Sequence, residues 1–296
     1  MIYLVGSIVF TSWLTLAFKV VERLRIDTFQ AIVFNYFACV ITGSIVQGGI
    51  VDYVHVTTLP WFGWACLMGA VFIGLYNIIG FTTQKMGVAV ASVANKLSLV
   101  IPFVFSLVLY NESITAFKIA GIIVALIAVV LTCYPQRQAA GTAHAGNAVS
   151  KGWLYLLPVV LFIGSGLLDT MIKYVEQGYL DHGNQDTYLI TAFSMAALIG
   201  LIVLVLQLVT GRTALTWKGV LAGIMIGVPN YFSIWCLLQV LKLYADNSSA
   251  IIPINNMGIV LFSAVAAWML FKERLSGINW IGILLAIGAI ALITYG

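Results

Sequence analysis

Residues 87–134 read GVAVASVANKLSLVIPFVFSLVLYNESITAFKIAGIIVALIAVVLTCY, and residues 248–295 read SSAIIPINNMGIVLFSAVAAWMLFKERLSGINWIGILLAIGAIALITY. The two stretches align without a gap at an offset of 161 residues, which places Asn95 on Asn256. Each holds two apolar runs of about 20 residues, long enough to cross a hydrocarbon core of about 30 Å as helices. The pattern predicts membrane-spanning helices that recur in an internal repeat.

The rest of the chain repeats more loosely. Three short segments recur: Asp27–Phe29 at an offset of 159 in Asp186–Tyr188, Lys19–Glu22 (KVVE) in Lys173–Glu176 (KYVE), and Gly74–Asn77 (GLYN) in Gly227–Asn230 (GVPN). Each half then holds five apolar runs. Because five is odd, two consecutive copies enter the membrane with opposite orientations. Such an inverted repeat is typical of alternating-access transporters.

The composition also indicates a membrane protein, because 62% of residues are hydrophobic and only 8% are charged, against about 25% charged in soluble domains. Continuous apolar runs predict helices, which satisfy their own backbone hydrogen bonds in lipid. The predicted fold is an all-α membrane protein, with ten transmembrane helices forming two inverted five-helix repeats around a central cavity. The predicted spans are 2–20, 28–47, 61–83, 88–110, 115–134, 152–174, 187–209, 216–241, 247–271 and 277–295.

The chain divides into two repeats and a connection. Residues 1–134 form the first five-helix repeat and residues 152–296 the second. Between them, residues 135–151 are polar and rich in Ala, Gly, Gln and Asn, a composition typical of a flexible linker.

Basic residues in the predicted loops indicate the orientation. Ten Lys and Arg residues fall in the odd-numbered loops and three in the even-numbered loops. By the positive-inside rule the odd loops, including the linker around His144, are cytoplasmic and both termini lie outside. The first apolar run is expected to be a retained span, since no basic segment precedes it. We expect a multi-pass protein of the cytoplasmic (inner) membrane.

Several function classes find no support. The four cysteines lie inside predicted spans without CxxC spacing, and the three histidines are scattered in loops, so neither a metal site nor a cofactor is predicted. Motifs for ATP hydrolysis, zinc proteolysis and serine hydrolysis are absent, which argues against an enzyme with catalytic residues. The basic residues form no nucleic-acid-binding stripe. The expected partners are a small-molecule substrate and the lipid bilayer, with a monomer favoured over a homodimer.

Lys96 is the clearest candidate for substrate binding. It lies about eight residues into the fourth predicted span, or about 12 Å deep at 1.5 Å per residue. A charge at that depth needs a partner or a water-filled cavity, unless the side chain only packs or reaches the interface. The functional interpretation is attraction of an anionic group of the substrate. The repeat aligns Lys96 with Met257, so the second half has no charge at the equivalent position.

Amides and aromatic rings inside the spans form a second group of substrate-binding candidates: Asn35, Asn77, Asn95, Asn230, Asn255, Asn256, Tyr76 and Trp13. Amides donate and accept hydrogen bonds and so suit neutral or zwitterionic ligands, but they also join helices. The aromatic rings suit a flat or cationic substrate if they face the cavity, and otherwise pack. Pro102 and Pro253 are expected to interrupt the fourth and ninth spans, each freeing a backbone carbonyl.

Three acidic residues lie near or within the spans. Asp169, in the sixth span, is the candidate for proton coupling, although its spacing also predicts a pair with Lys173. Glu112 and Glu273 precede the last span of each half, where a carboxylate can accept hydrogen bonds from exposed backbone amides.

These features resemble a known family. The chain has ten spans in two halves, and each half ends in an acid, a short turn and a glycine-bearing span, seen in Tyr110–Thr115 with Gly121 and in Phe271–Ser276 with Gly282. This arrangement resembles the EamA type of the drug/metabolite transporter superfamily. The resemblance implies that the first four spans of each half line the cavity and that the fifth and tenth are peripheral. Many relatives place both termini in the cytoplasm, whereas the charges here predict the reverse.

The sequence therefore predicts a secondary active transporter of a small polar metabolite, an amino acid or related compound, that works by alternating access. One alternative is exchange of phosphorylated or nucleotide-linked sugars, with Lys96 as the phosphate contact. Another is a membrane accessory protein or receptor that transports nothing.

Overall fold

Helices make up nearly all of the chain that the computed structural model describes, which is residues 2–102, 104–105, 115–132, 151–180, 183–243, 248–273 and 275–295. Those ranges contain no strand. The predicted all-α class is thus confirmed. The helices are α1 (Ile2–Arg23), α2 (Thr28–Gln47), α3 (Tyr53–Val56), α4 (Phe62–Met86), α5 (Val88–Leu97), α6 (Ala116–Thr132), α7 (Lys151–Tyr179), α8 (Gln185–Val209), α9 (Trp217–Leu243), α10 (Ser248–Phe271) and α11 (Gly277–Tyr295).

Several of these helices could span a membrane. Within the described ranges, six segments are long and apolar enough to do so: Ile2–Arg23, Thr28–Gln47, Phe62–Met86, Gln185–Val209, Trp217–Leu237 and Ile254–Phe271. Four other apolar helical segments are shorter: Val88–Pro102, Ile119–Thr132, Leu156–Ile172 and Gly277–Leu292. The helices follow the predicted ranges to within a few residues, except in the fourth range, where α5 ends at Leu97. Residues 106–110 of that range, the Tyr110–Ile114 motif residues with Glu112, and the linker residues 135–150 lie outside the described residues.

Local signals set the helix ends. Asp27 begins α2 because its carboxylate accepts a hydrogen bond from the Gln30 N–H at 3.1 Å. Gly48 ends α2 with a φ of 82°, in the left-handed region that glycine adopts without strain. Gly87, with a φ of 102°, is the single residue between α4 and α5. These two helices are therefore joined without a loop.

The helices pack in a regular scheme. α2 contacts α8 and α9, and α4 contacts α8 and α7. α1 contacts α9 and α10, while α7 contacts α4 and α5. α5 also packs against α10, and α6 packs against α11. The larger core lies among α1, α2, α4, α8 and α9 and contains Phe18, Tyr36 and Phe193. A second, alanine-rich core joins α5, α6, α10 and α11.

Glycines permit two of the closest helix contacts. A Cβ at Gly69 of α4 would lie 2.8 Å from the carbonyl oxygen of Ala192 in α8. A Cβ at Gly223 of α9 would lie 2.9 Å from the carbonyl oxygen of Ala31 in α2. Both positions therefore require glycine, because a neighbouring backbone atom cannot move away as a side chain can.

Candidate functional site

The helix that carries Lys96 breaks directly after it. α5 ends at Leu97, a turn follows at Ser98, and helical backbone resumes two residues later. Pro102 explains the break, because proline has no N–H to donate to the carbonyl four residues earlier, which is that of Ser98. That carbonyl instead accepts from the Ile101 N–H at 2.9 Å. The predicted interruption of the fourth span by Pro102 is confirmed.

The other prolines leave their helices continuous. α10 runs through Pro253, so the predicted interruption of the ninth span is wrong. Pro253 is the sixth residue of α10 and lies within its first two turns. α9 likewise runs through Pro229. The carbonyl that Pro229 frees is that of Met225, and it accepts from the indole N–H of Trp13 at 3.1 Å. Trp13 thus replaces the missing backbone donor.

Asp169 reaches the break from α7. Gly166 lies directly against it, since a Cβ there would be 2.8 Å from the Ser98 carbonyl oxygen and 2.6 Å from the Ile101 Cβ. Asp169 follows three residues later, and its carboxylate lies near the Ser98 side chain. The close contact at Gly166 therefore positions Asp169 next to the end of α5.

Asp169 faces the inside of the bundle. One side of α7 carries a stripe of exposed apolar side chains, which includes Leu156, Ile163, Leu167 and Tyr174. At about 100° per residue Asp169 points to the opposite side of the helix. Its side chain is nevertheless exposed.

Lys96 and Asp169 lie close enough for their charges to influence each other. They do not form a direct ion pair, since Lys19–Glu22, at 2.8 Å, is the ion pair found among the described residues. Lys96 itself is half-buried. A separated cation and anion within a bundle of apolar helices can bind the two ends of a dipolar solute. The side chain of Lys173, the other predicted partner of Asp169, lies outside the described residues.

The amides of α10 lie on the helix that packs against α5. Asn255 and Asn256 are 3% and 9% exposed. The side-chain oxygen of Asn255 is buried without a hydrogen-bond partner among the described residues. A buried acceptor of this kind normally binds a donor, from water or from a ligand. Asn95, on the facing helix α5, is half-buried.

A second polar group joins three other helices. The Tyr76 hydroxyl of α4 donates to the Asn230 side-chain oxygen of α9 at 2.7 Å. The Asn230 amide then donates to the Asn35 oxygen of α2 at 3.1 Å. Asn35 and Asn230 are almost fully buried. These three side chains hold α2, α4 and α9 together, as polar residues do between membrane helices. Asn77 is separate, because its amide donates to the Ile73 carbonyl of its own helix at 2.7 Å.

Sequence reasoning missed Ser98, which lies near Asp169 and whose hydroxyl donates to the Asn95 carbonyl at 2.5 Å. The available signal was its position four residues before Pro102. The spacing of Asp169 predicts a pair with Lys173 on its own helix. It gives no signal for Lys96, which lies far away in the chain.

Two surface cavities lie away from this site. One, of about 520 Å³, is an apolar groove of α2, α8 and α9 that includes Phe37, Ile41 and Ile224. The other, of about 710 Å³, lies at the end of α10 and includes Trp268, Lys272 and Glu273. Among the residues described, no group of three or more His, Cys, Asp or Glu side chains could hold a metal ion.

Comparison with known proteins yields a distant relative and a shared fold. The chain is 27% identical over 284 residues to an uncharacterized protein of Haemophilus influenzae, covering 94% of this chain and 92% of that one. A crystal structure with 15% sequence identity covers 99% of this chain and 96% of its own, with a TM-score of 0.59. That likeness concerns the fold alone. No family model matches the chain.

Proposed function

We propose that this protein is a secondary active transporter that carries a small polar metabolite, an amino acid or a related compound, by alternating access. The observation that carries the proposal is the separated pair of Lys96 and Asp169, a cation and an anion carried by neighbouring apolar helices. Charged side chains inside apolar helices are costly and generally serve a substrate or ion pathway. No reacting nucleophile is needed to explain them.

The helix packing supports an arrangement of ten membrane-spanning helices in two inverted repeats. If α1, α2, α4, α5 and α6 correspond to α7, α8, α9, α10 and α11, the contact of α2 with α9 corresponds to that of α8 with α4. The contacts of α1 with α9 and α10 likewise correspond to those of α7 with α4 and α5. Such a scheme is expected of a two-fold axis in the membrane plane.

We further propose membership of the EamA type of drug/metabolite transporters. The packing of α6 and α11 against each other is compatible with this, since the resemblance implies that both helices are peripheral. The proposed location is the cytoplasmic membrane, with the linker inside and both termini outside, which rests on the distribution of basic residues.

The charges favour a zwitterion over a phosphate ester. A substrate carboxylate would interact with Lys96, and its ammonium group with Asp169. A phosphorylated sugar would bring extra negative charge next to the Asp169 carboxylate, where like charges repel. Asn95, Asn255 and Asn256 would supply neutral donors and acceptors. Asp169 could also take up a proton when the substrate occupies Lys96, which is the proposed basis of coupling.

A screen followed by transport measurement tests the proposal. Purified protein is first screened for thermal stabilisation by a broad metabolite library, because a ligand that binds only the folded state raises the unfolding temperature. Each hit is then measured by counterflow in proteoliposomes. We expect exchange of a labelled hit by the wild type and not by Lys96→Met. Stabilising ligands that are never exchanged would favour a receptor or accessory protein instead.

A further inference from the structure

Charged side chains at one end of the bundle bind the ends of four helices. They are Lys19, Glu22 and Arg23 at the end of α1, and Glu273 directly after α10; we call them the end cluster. Lys19 forms the ion pair with Glu22 at 2.8 Å and donates to the Gln84 carbonyl near the end of α4 at 3.2 Å. Lys19 of the end cluster thus links α1 to α4.

Arg23 and Glu273 extend the cluster to α10 and α5. Arg23 donates to the carbonyl of Phe271, the last residue of α10, at 2.8 Å and lies 4.6 Å from the centre of its ring. Glu273 accepts a hydrogen bond from the Val88 N–H, the first of α5, at 3.1 Å. Cations thus bind helix C-termini and an anion binds a helix N-terminus, which complements the helix dipoles.

Glu273 is the central member of the cluster. It lies so close to the α4–α5 junction that a Cβ at Gly87 would be 3.0 Å from its carboxylate oxygen. Burial raises the pKa of Glu273, while the hydrogen bonds from Val88 and Ala89 and the charges of Lys19 and Arg23 act to lower it. The Glu273 carboxylate, two residues after the end of α10, therefore interacts with both α1 and α5.

The face of α5 leads from this cluster to the proposed site. Val88, Ser92 and Lys96 are each four residues apart and so lie on one side of the helix, with Val88 about 12 Å from Lys96. Ser92 is buried between them and its hydroxyl donates to the Thr15 hydroxyl of α1 at 3.4 Å. Contacts among α1, α5 and the end of α10 therefore lie between Lys96 and this end of the bundle.

We propose that the end cluster is a gate, in which release of Glu273 from the α5 N-terminus separates α10 from α1 and α5 and opens the interior at this end. The inference rests on the proposed transport function. In the sequence repeat, Glu112 occupies the position of Glu273, and Lys173 and Glu176 occupy those of Lys19 and Glu22. These counterparts lie outside the described side chains and serve here as the control.

Cysteine accessibility tests the gate without a substrate. Ser92→Cys is introduced into a full-length protein whose Cys39, Cys66, Cys133 and Cys236 are replaced by serine or alanine. A membrane-impermeant maleimide is applied to the membrane face that carries Lys85, and the exposed Lys85→Cys serves as the reference for that face. The labelling rate of Ser92→Cys then reports how often the gate opens.

We expect Glu273→Ala to raise this rate roughly tenfold or more, since a charge-assisted hydrogen bond is lost. Glu273→Gln keeps an acceptor for the Val88 N–H but loses the charge, so we expect an intermediate labelling rate. If Glu273→Ala does not fold, the rate of Glu273→Gln is the test of the gate. Glu112→Ala is the matched control and should not raise the rate.

An unchanged rate in the folded Glu273 variants, or an equal rise with Glu112→Ala, would overturn the gate. Faster labelling of the Glu273 variants in a protein that exchanges no solute would instead retain the gate and refute the transport function. The two failures are thus distinguishable.

Discussion

Gly69 of α4 and Gly223 of α9 make the same contact with two different helices. Gly69 lies against the carbonyl of Ala192 and Gly223 against that of Ala31, and these two alanines are 161 residues apart. The packing of α4 against α8 thus corresponds to that of α9 against α2, which supports the proposed repeat.

Substitution of these glycines should destabilise the protein. We expect Gly69→Ala and Gly223→Ala each to cost about 1–3 kcal/mol, because the added methyl group meets backbone atoms. Gly74→Ala in α4 is the matched control, since a Cβ there has no atom within 4 Å, and alanine favours helix over glycine. Thermal unfolding of the purified proteins in detergent measures the difference. Equal stability of the three variants would contradict the contact.

Trp13 and Pro229 should be coupled. Trp13→Phe removes the donor to the Met225 carbonyl, and an acceptor left unpaired within an apolar span costs about 1–3 kcal/mol. Pro229→Ala restores a backbone N–H that can bond the same carbonyl. We therefore expect the double variant Trp13→Phe/Pro229→Ala to be more stable than Trp13→Phe alone, as measured by thermal unfolding. Strictly additive losses would show that the carbonyl does not link the two residues.

Orientation is tested with reporters. The basic residues predict that the linker around His144 is cytoplasmic and that Gly296 is outside. A fluorescent protein that folds only in the cytoplasm should be dark when fused after Gly296 and bright when inserted at the linker. A bright C-terminal fusion with a dark linker insertion would reverse the assigned orientation.

The sequence predicts helices better than it predicts contacts. Apolar run length locates the helices to within a few residues, because lipid requires continuous helices. Pro102 locates the break through a strictly local effect on the Ser98 carbonyl. The local effect of Pro229, by contrast, does not break α9, because Trp13 of another helix supplies the donor. That compensation depends on packing and leaves no pattern in the sequence near Pro229.

The site is predictable in part. The depth of Lys96 identifies it without any contact, since a charge in an apolar run is unusual. Its interaction with Asp169 is not predictable, because the spacing of Asp169 favours a neighbour on its own helix and the close approach of α7 depends on Gly166. Likewise, six amides are equivalent by residue type, but only the structure separates the Asn35–Asn230 contact from the amides near Lys96.

The Lys96–Asp169 interaction gives the most direct test of the site. Lys96→Met fills a similar volume without charge and leaves Asp169 without its cation. We expect loss of transport with folded protein still abundant, since one charge-assisted contact contributes about 1.5–3 kcal/mol, or roughly ten- to 150-fold in affinity. Asn256→Ala, which removes a neutral contact, should cost about 1 kcal/mol. Counterflow in proteoliposomes with the identified substrate measures both effects.

The charge partner is identified by a double-mutant cycle. Lys96→Met and Asp169→Asn each leave one charge uncompensated, whereas the double variant leaves neither, so it should be more stable than the sum of the single losses by about 0.5–3 kcal/mol. Transport should remain absent in the double variant, because a zwitterion needs both charges. If the two losses of stability are additive, Lys96 and Asp169 do not interact, and Lys96 is a packing residue. Transport by the double variant would instead show that the substrate is recognised without either charge, and the proposed substrate class would be wrong.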